Sequence, residues 1–339
     1  MQSSNPLVSV ILPVYNGELY LGDSIQSILD QTYVNFELLI LSSPNTNQAS
    51  LDVIDKFNDP RIRHIRRSPE QNNLPKALNM GIDKSRGIYV ARMDADDMSL
   101  PQRLQKEVEF MEKDKDVSIA GSWAKAFGLK SNYIKHPTDP EEIRVNLLFQ
   151  SSLVHPTVIF RKEMLDQYHL RYDPELNYCE DIDFWIRASK YLKIANIPEV
   201  LLLYRTHNDQ ASRRKLEEQD RIRKELRKTL LSRLQIIPTE EELELYKKLC
   251  IYEGAGSNET LDKISQWLEK LDAANDRTHQ YDAKILKKVL GGRWFIICYA
   301  SRDTLKKQAW EIFWSRRPST WFKKDLRNIF RLLKFYIKS

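Results

Sequence analysis

Short apolar runs alternate with helix-like periodicity along the first two-thirds of the chain. Val8–Val14 and Phe36–Leu41 are rich in aliphatic residues, which predicts buried strands. Between them, Leu21, Ile25 and Ile28 recur at the three- and four-residue spacing of one helix face. Strands that alternate with helices in this way predict right-handed βαβ units and a mostly parallel sheet, so the expected fold class is α/β.

The same patterns predict further elements downstream. Leu74–Ile82 and Ile182–Tyr191 show the periodicity of helices. Apolar or alternating segments predict strands at Arg61–Arg66, Ile88–Met93, Val117–Gly121, Ser152–Arg161 and Glu199–Tyr204. Because Pro156 cannot donate a ladder hydrogen bond, the Ser152–Arg161 strand is expected at the edge of the sheet.

The character of the sequence changes after Ser212. Long, charged, helix-favouring stretches follow at Arg213–Leu234, Thr239–Tyr252 and Glu259–Asn275. We therefore predict a domain boundary near residues 208–215, with a catalytic α/β domain over 1–210 and a helical, basic region over 211–339. Oligomerisation, acceptor contact and membrane-surface contact are the roles left open for the second region.

Composition narrows the class of protein. Of the 339 residues, 42% are hydrophobic and 29% charged, as in ordinary globular proteins. Cys179, Cys250 and Cys298 are odd in number and far apart, which argues for a reducing compartment and against disulfides or zinc. Met1–Pro6 lacks the features of a signal peptide, and no run reaches the ~18 apolar residues of a spanning helix. A cytoplasmic location is expected.

Positive charge is concentrated at the C-terminal end, although the net charge of the whole chain is only +6. Residues 287–339 carry 14 lysines and arginines against 3 acidic residues. Trp321–Lys338 has the periodicity of an amphipathic helix with one apolar and one basic face. Such a helix suits the anionic cytoplasmic surface of a membrane, or packs against the C-terminal region or a second subunit of a homo-oligomer. No nucleic-acid-binding motif is present, so nucleic acid is not an expected partner.

Three carboxylates follow the apolar run Ile88–Ala91 closely, at Asp94, Asp96 and Asp97. Asp94 and Asp96 are two positions apart, so on an extended chain their side chains point the same way. Like charges held together are unfavourable without a cation, and a hard divalent ion that bridges to a diphosphate meets this need. The alternative is a solvated turn that caps the next helix, with Ser99-Leu100-Pro101 at its start.

Five sequence motifs occur in order within the first 210 residues. They are VSVILPVYNGELYLGDSIQSILDQTYVNFELLIL, ARMDADDMSLPQRLQKEVEFME, HPTVIFRKEML, CEDIDFWIRAS and EVLLLYRTHNDQAS. They resemble, in turn, the opening segment, the metal-binding D-x-D segment, the acceptor-side strand, the E-D motif and the closing segment of the inverting family 2 glycosyltransferases, which have a GT-A fold. The resemblance is to bacterial enzymes of surface-polysaccharide synthesis, and residues after 210 carry none of its motifs.

The resemblance implies transfer of a sugar from a nucleotide donor to a hydroxyl of a glycan or lipid-linked acceptor, with inversion and with Mn²⁺ or Mg²⁺ as cofactor. Asp96 is the expected direct metal ligand, and Asp94 is expected to act through water or on the ribose. His207 matches a position that reaches the metal or diphosphate, and a structural histidine is the alternative. Glu180 and Asp181 are the catalytic candidates. At most one is the base, and the family pattern favours Asp181, with helix capping as the alternative.

Further residues are assigned to the two substrates by the same resemblance. The donor side is expected to include Pro13, Tyr15, Asn16, Ser42, Arg92 and Ala95, besides Asp94 and Asp96. Tyr15 stacks on the base or packs beneath it. His155 and Trp185 are expected on the acceptor side, and a plain core position is the alternative for Trp185.

The donor side also departs from the family pattern. The family usually has D-D-G-S-x-D after its second strand, where the first aspartate accepts a hydrogen bond from uracil. Here that stretch is Ser42-Ser43-Pro44-Asn45-Thr46-Asn47, and a serine is a weaker partner than a carboxylate. A UDP-sugar is still the expected donor. Two other classes of protein stay open. One is a non-catalytic glycan-binding or scaffolding subunit. The other is a sugar nucleotidyltransferase, although this chain lacks the glycine-rich loop that such enzymes need.

Overall fold

The computed structural model describes residues 5–208 and 216–316. Its first four strands are β1 (Val8–Val14), β2 (Phe36–Ser42), β3 (Ile62–Arg66) and β4 (Tyr89–Arg92). The helices that follow the first three of them are α1 (Leu21–Leu29), α2 (Gln48–Asp55) and α3 (Leu74–Lys84). The four strands are parallel and lie in the order β3-β2-β1-β4, so the predicted α/β arrangement is confirmed.

The second part of the sheet is mixed. Its strands are β5 (Met98–Ser99), β6 (Val117–Gly128), β7 (Tyr133–Ile134), β8 (Ile159–Arg161) and β9 (Lys193–Thr206). The helices of this part are α4 (Arg103–Lys113), α5 (Pro140–Asn146), α6 (Lys162–Gln167) and α7 (Glu180–Ala188). The sheet continues as β4-β8-β6-β9-β5, in which β8 is antiparallel to both neighbours and β6 is parallel to β9.

The prediction of an edge strand over Ser152–Arg161 was wrong. Only Ile159–Arg161 is a strand, and it lies inside the sheet between β4 and β6. Pro156 precedes it in a 3₁₀ turn, His155–Thr157, where its missing N–H removes no bond from the sheet. The proline therefore lies in the turn before the strand and does not force the strand to the edge.

The acidic segment is also not a simple helix start. Met98–Ser99 pairs with Leu202 and Leu203 of β9, and the helix begins only at Arg103. The backbone between β4 and α4 is thus fixed at both ends by the sheet. This holds the three aspartates on a short, braced loop.

The core explains the apolar runs of the sequence. Leu12, Leu38 and Ile40 have no exposed surface, because helices cover both faces of the parallel strands. Gly81 lies where α3 crosses β1, and an added Cβ would be 2.4 Å from the side chain of Ile11. A glycine at this position allows the helix to pack directly on the central strand.

The described chain forms two compact units. The first contains the described residues of Met1–Ile143 and Ser151–Gln219, and the second contains those of Arg144–Gln150 and Asp220–Ser339. The helices after residue 215 are α8 (Leu216–Arg233), α9 (Glu240–Ile251), α10 (Asn258–Thr278), α11 (Ala283–Ala300), α12 (Arg302–Leu305) and α13 (Lys307–Ser315). None of the helices within the described ranges is long and apolar enough to cross a bilayer. The predicted amphipathic helix Trp321–Lys338 lies outside the described residues.

Candidate active site

The sheet has a topological switch point beside β1, because β2 lies on one side of it and β4 on the other. In open α/β sheets, ligands bind at the C-terminal ends of the strands at such a point. Asp94, Asp96 and Asp97 follow β4 directly, and each offers a carboxylate oxygen within 4.8 Å of the other two. Among residues 5–208 and 216–316, this is the only such group of potential metal ligands. We call it the aspartate triad.

Arg92 orients the first member of the triad. Its guanidinium is buried and forms a two-pronged ion pair with Asp94, in which Nη1 donates to Oδ2 at 2.5 Å. Burial and the charge of Asp96 raise the pKa of Asp94 to about 6, although Arg92 opposes this shift. The ion pair with Arg92 therefore fixes the orientation of the Asp94 carboxylate.

Asp96 is paired with the histidine expected to act with it. Nε2 of His207, which directly follows β9, lies 2.9 Å from Oδ2 of Asp96. The two residues are 111 positions apart in sequence, so the sheet brings them together. The ring of Tyr20 lies 5.2 Å from that of His207 and supports it from one side.

Asp97 is the most enclosed member of the triad. It is 1% exposed, and its Oδ1 accepts the backbone N–H of Arg205 at 2.8 Å. Its Oδ2 is buried and accepts no hydrogen bond from the described part of the chain. Burial, followed by the charges of Asp94 and Asp96, raises the pKa of Asp97 well above its usual range. A hard divalent cation relieves such a cluster, so carboxylate oxygens beside an imidazole fit Mn²⁺ or Mg²⁺.

A buried arginine braces the loop that carries the triad. Arg103 of α4 has no exposed surface, and its Nη2 donates to the backbone oxygen of Arg92 at 2.7 Å. Its Nη1 donates to Oγ of Ser99 at 3.0 Å, and its Nε donates to Glu107 at 2.8 Å. Because Arg92 and Ser99 flank the triad, one guanidinium ties together both ends of the loop.

The two catalytic candidates open α7. Glu180 is buried, and its Oε2 accepts no hydrogen bond from the described residues. Burial and then the charge of Asp181 raise the pKa of Glu180 to about 7, and the charges of Arg92 and Asp94 also act on it. Asp181 is partly exposed. Glu180 therefore lies within electrostatic range of Asp94, and Asp181 is the more accessible carboxylate of the pair.

The two acceptor-side candidates pack against each other, with ring centroids 5.8 Å apart. Nε2 of His155 is 2.9 Å from the hydroxyl of Tyr172, and burial and the charge of Arg92 lower the pKa of His155 well below its usual value. Trp185 has no exposed surface, and its ring stacks on Phe160 at 6.0 Å. Trp185 therefore occupies the core position given as its alternative.

The donor-side candidates lie at the ends of β1 and β2. Tyr15 is 60% exposed and available for stacking, whereas Ser42 is fully buried and its Oγ lies 2.8 Å from Nε2 of His64. Oδ1 of Asn16 accepts the backbone N–H of Asn47 at 2.9 Å and so joins the loops after the two strands. Pro13 and Ala95 are partly exposed beside them.

Three residues of the site, one in the triad and two that brace it, were not singled out from the sequence. Asp97 belonged to the acidic cluster but was assigned no role, and Arg103 and Arg205 were not considered. The spacing of Arg205 and His207 in YRTH was the available signal for Arg205, because residues two apart on an extended chain point the same way.

The fold defines the class of protein. The chain is similar to the structure of S. aureus TarS 1–349 in complex with UDP-GlcNAc, with a TM-score of 0.58 and 16% identity over 91% of each chain. At this identity the likeness concerns the fold, which is of the GT-A type.

The sequence then defines the family. The family described as Glycosyl transferase family 2 matches residues 9–169, and the chain belongs to that family. The chain is 33% identical over 237 residues to an uncharacterized glycosyltransferase of Haemophilus influenzae. The matched region covers 66% of this chain and 72% of that relative. The chain is 31% identical over 212 residues to the O-antigen biosynthesis glycosyltransferase WbnJ of Escherichia coli, covering 60% and 80%. The prediction of a transferase is confirmed.

Proposed function

We propose that this glycosyltransferase is metal-dependent and inverting, and that it moves the sugar of a UDP-sugar to a hydroxyl of a glycan or lipid-linked glycan during synthesis of a surface polysaccharide. The observation that carries the proposal is the aspartate triad at the switch point, with Glu180 and Asp181 close by. The O-antigen name of the Escherichia coli relative supports the acceptor class. The UDP-GlcNAc in the Staphylococcus aureus structure supports the nucleotide.

The metal is assigned to the triad side of the site. Asp96 and His207 are the proposed direct ligands, because their side-chain atoms already meet at 2.9 Å. Asp94, held by Arg92, is proposed to act through water or on the ribose. When bound, the metal supplies Lewis-acid stabilisation of the charge that develops on the leaving diphosphate.

Asp181 is the proposed catalytic base. Its carboxylate takes the proton of the acceptor hydroxyl while that oxygen bonds to the anomeric carbon. The bond from this carbon to the diphosphate breaks on the opposite face, and the nucleoside diphosphate leaves with the electron pair. Glu180 is less suited to this role, because its free oxygen is buried. It is proposed instead to act on Asp181 through its charge.

The donor side supports a nucleotide site of altered chemistry. Tyr15 is exposed at the end of β1, but buried Ser42 faces His64 where the family has a carboxylate. A hydroxyl that is hydrogen-bonded to an imidazole forms a weaker hydrogen bond with the edge of a nucleotide base than a carboxylate does. We therefore expect a UDP-sugar to be the donor and its base to contribute less to affinity than in relatives that keep the carboxylate.

The test is release of nucleoside diphosphate from UDP-, GDP- and dTDP-sugars by the purified chain, with Mn²⁺, with Mg²⁺ or with a chelator. The expected result is metal-dependent release from a UDP-sugar, and NMR of the freshly released sugar should show the inverted anomer. Metal-independent release, or retention of configuration, would contradict the proposal. If no nucleotide binds in calorimetry with any metal, the non-catalytic alternative takes its place.

A further inference from the structure

Arg205 lies one residue before the end of β9 and contacts the triad through two different groups. Its Nε donates to the backbone oxygen of Asp96 at 2.7 Å. Its backbone N–H donates to Oδ1 of Asp97 at 2.8 Å. One residue therefore holds the main chain of one aspartate and the side chain of the next.

Two aromatic rings pack against this guanidinium. Its central carbon lies 4.2 Å from the ring centroid of Tyr20 and 4.6 Å from that of Phe127. Its Nη2 donates to Asp23 at 3.0 Å, which fixes rotation within the plane. A guanidinium that packs on two rings and donates to a carboxylate has little freedom, so the direction of its bond to the triad loop is set in advance.

The same assembly reaches the histidine of the site. His207 follows Arg205 by two residues, and Tyr20 packs on both side chains, at 5.2 Å from the His207 ring. Between them, Oγ1 of Thr206 donates to the backbone oxygen of Phe127 at 2.7 Å. The end of β9 is thus anchored to β6, and displacement of Arg205 would also disturb the approach of His207 to the triad.

We propose that Arg205 is a positioning residue of the metal centre, which gives Asp96 and Asp97 their geometry before a divalent ion binds. This inference rests on the proposed metal-dependent transfer. Lysine keeps the charge at this position but has neither the planar fork nor the stacking surface, so it cannot make the same set of contacts.

The experiment measures Mn²⁺ binding to the full chain by electron paramagnetic resonance, with and without UDP, for the wild type and Arg205→Lys. The variant should bind Mn²⁺ about tenfold more weakly, the size expected for loss of a charge-assisted hydrogen bond at the site. The Mn²⁺ concentration for half-maximal donor hydrolysis should rise by about the same factor, while the rate at saturating Mn²⁺ stays within about threefold. If Arg205 had a purely structural role, its replacement would not lower the Mn²⁺ affinity while leaving the rate at saturating Mn²⁺ nearly unchanged.

Arg61→Lys is the matched control. Arg61 also stacks on an aromatic ring, at 4.4 Å from Phe36, and donates to a carboxylate and to a backbone oxygen, but it contacts neither the triad nor β9. Its replacement should lower the melting temperature about as much as Arg205→Lys does, with Mn²⁺ affinity within about twofold of the wild type.

The outcomes are distinct. If the wild type binds Mn²⁺ and Arg205→Lys binds it equally well, the positioning role is overturned and the proposed function stands. If the wild type binds no divalent metal, the proposed function falls and the positioning role falls with it. If Arg205→Lys does not fold, Tyr20→Leu removes one of the two aromatic rings and should weaken Mn²⁺ binding by about threefold. Unchanged binding in that variant also overturns the inference.

Discussion

Replacement of Glu180 by Gln should stabilise the protein at alkaline pH and have little effect at acidic pH. Glu180 is buried and its Oε2 lacks a donor in the described part of the chain. Burial and the charge of Asp181 raise its pKa from 4.5 to about 7. Between these values the unfolded chain has released the proton and the folded chain retains it. The contribution of Glu180 to the free energy of unfolding is therefore fully present below pH 4.5. It decreases as pH rises and is lost above about pH 7.

The size of the effect follows from the two pKa values. A difference from 4.5 to about 7 corresponds to about 3 kcal/mol of unfolding free energy, at about 1.4 kcal/mol per pH unit. Most of this loss, about 2 kcal/mol or more, falls between about pH 5 and 8.5. Glutamine carries no charge at either pH, so the variant avoids the loss.

The assay is urea unfolding of the metal-free protein at both pH values. The stability of Glu180→Gln relative to the wild type should increase by about 2 kcal/mol from about pH 5 to 8.5. Glu109→Gln is the control, because Glu109 is exposed on α4 and its loss should change stability by less than about 0.5 kcal/mol at either pH. A pH-independent difference for Glu180→Gln would refute the reasoning, because it would mean that the buried carboxyl does not ionise within this window.

Two further substitutions test the acidic pair and its support. Asp181→Asn should reduce transfer by about 10²- to 10⁴-fold, because the acceptor proton then has no base, while calorimetry should find UDP binding in Mn²⁺ nearly unchanged. Near-normal turnover in this variant would contradict the assignment. Trp185→Ala should lower the free energy of unfolding by about 3–5 kcal/mol, because the ring is fully buried on Phe160. A loss below about 1 kcal/mol in urea unfolding would contradict the core placement of this ring.

The strands that were predicted well are those whose environment is uniform. β1 and β2 are covered on both faces, so their sequences are mostly apolar and their limits are evident. β6 was predicted only to Gly121, because the polar residues Ser122 and Lys125 interrupt the apolar run, whereas the strand extends to Gly128 and Lys125 is exposed on it. Where one face of a strand is exposed, the hydrophobic pattern alone does not show where the strand ends.

The site shows the same contrast between local and distant contacts. The aspartate triad was visible because its members are neighbours in sequence at the end of one strand. Arg205 was missed because its contacts join it to Asp96 and Asp97, which are 109 and 108 positions away. The Ser152–Arg161 prediction failed because the proline was assigned to the strand itself, whereas Pro156 lies in the preceding turn. Pairings of this kind depend on the order of strands in the sheet.

The most direct test of the central claim compares Mn²⁺-dependent release of UDP from a UDP-sugar by the wild type, Asp96→Asn and Asp52→Asn. Asp52 is exposed on α2, so its replacement removes the same charge away from the triad. Metal-dependent release should fall by at least about 10²-fold in Asp96→Asn and remain at the wild-type rate in Asp52→Asn. Equal metal-dependent release by all three proteins would show that the aspartate triad is not the metal centre of this transferase.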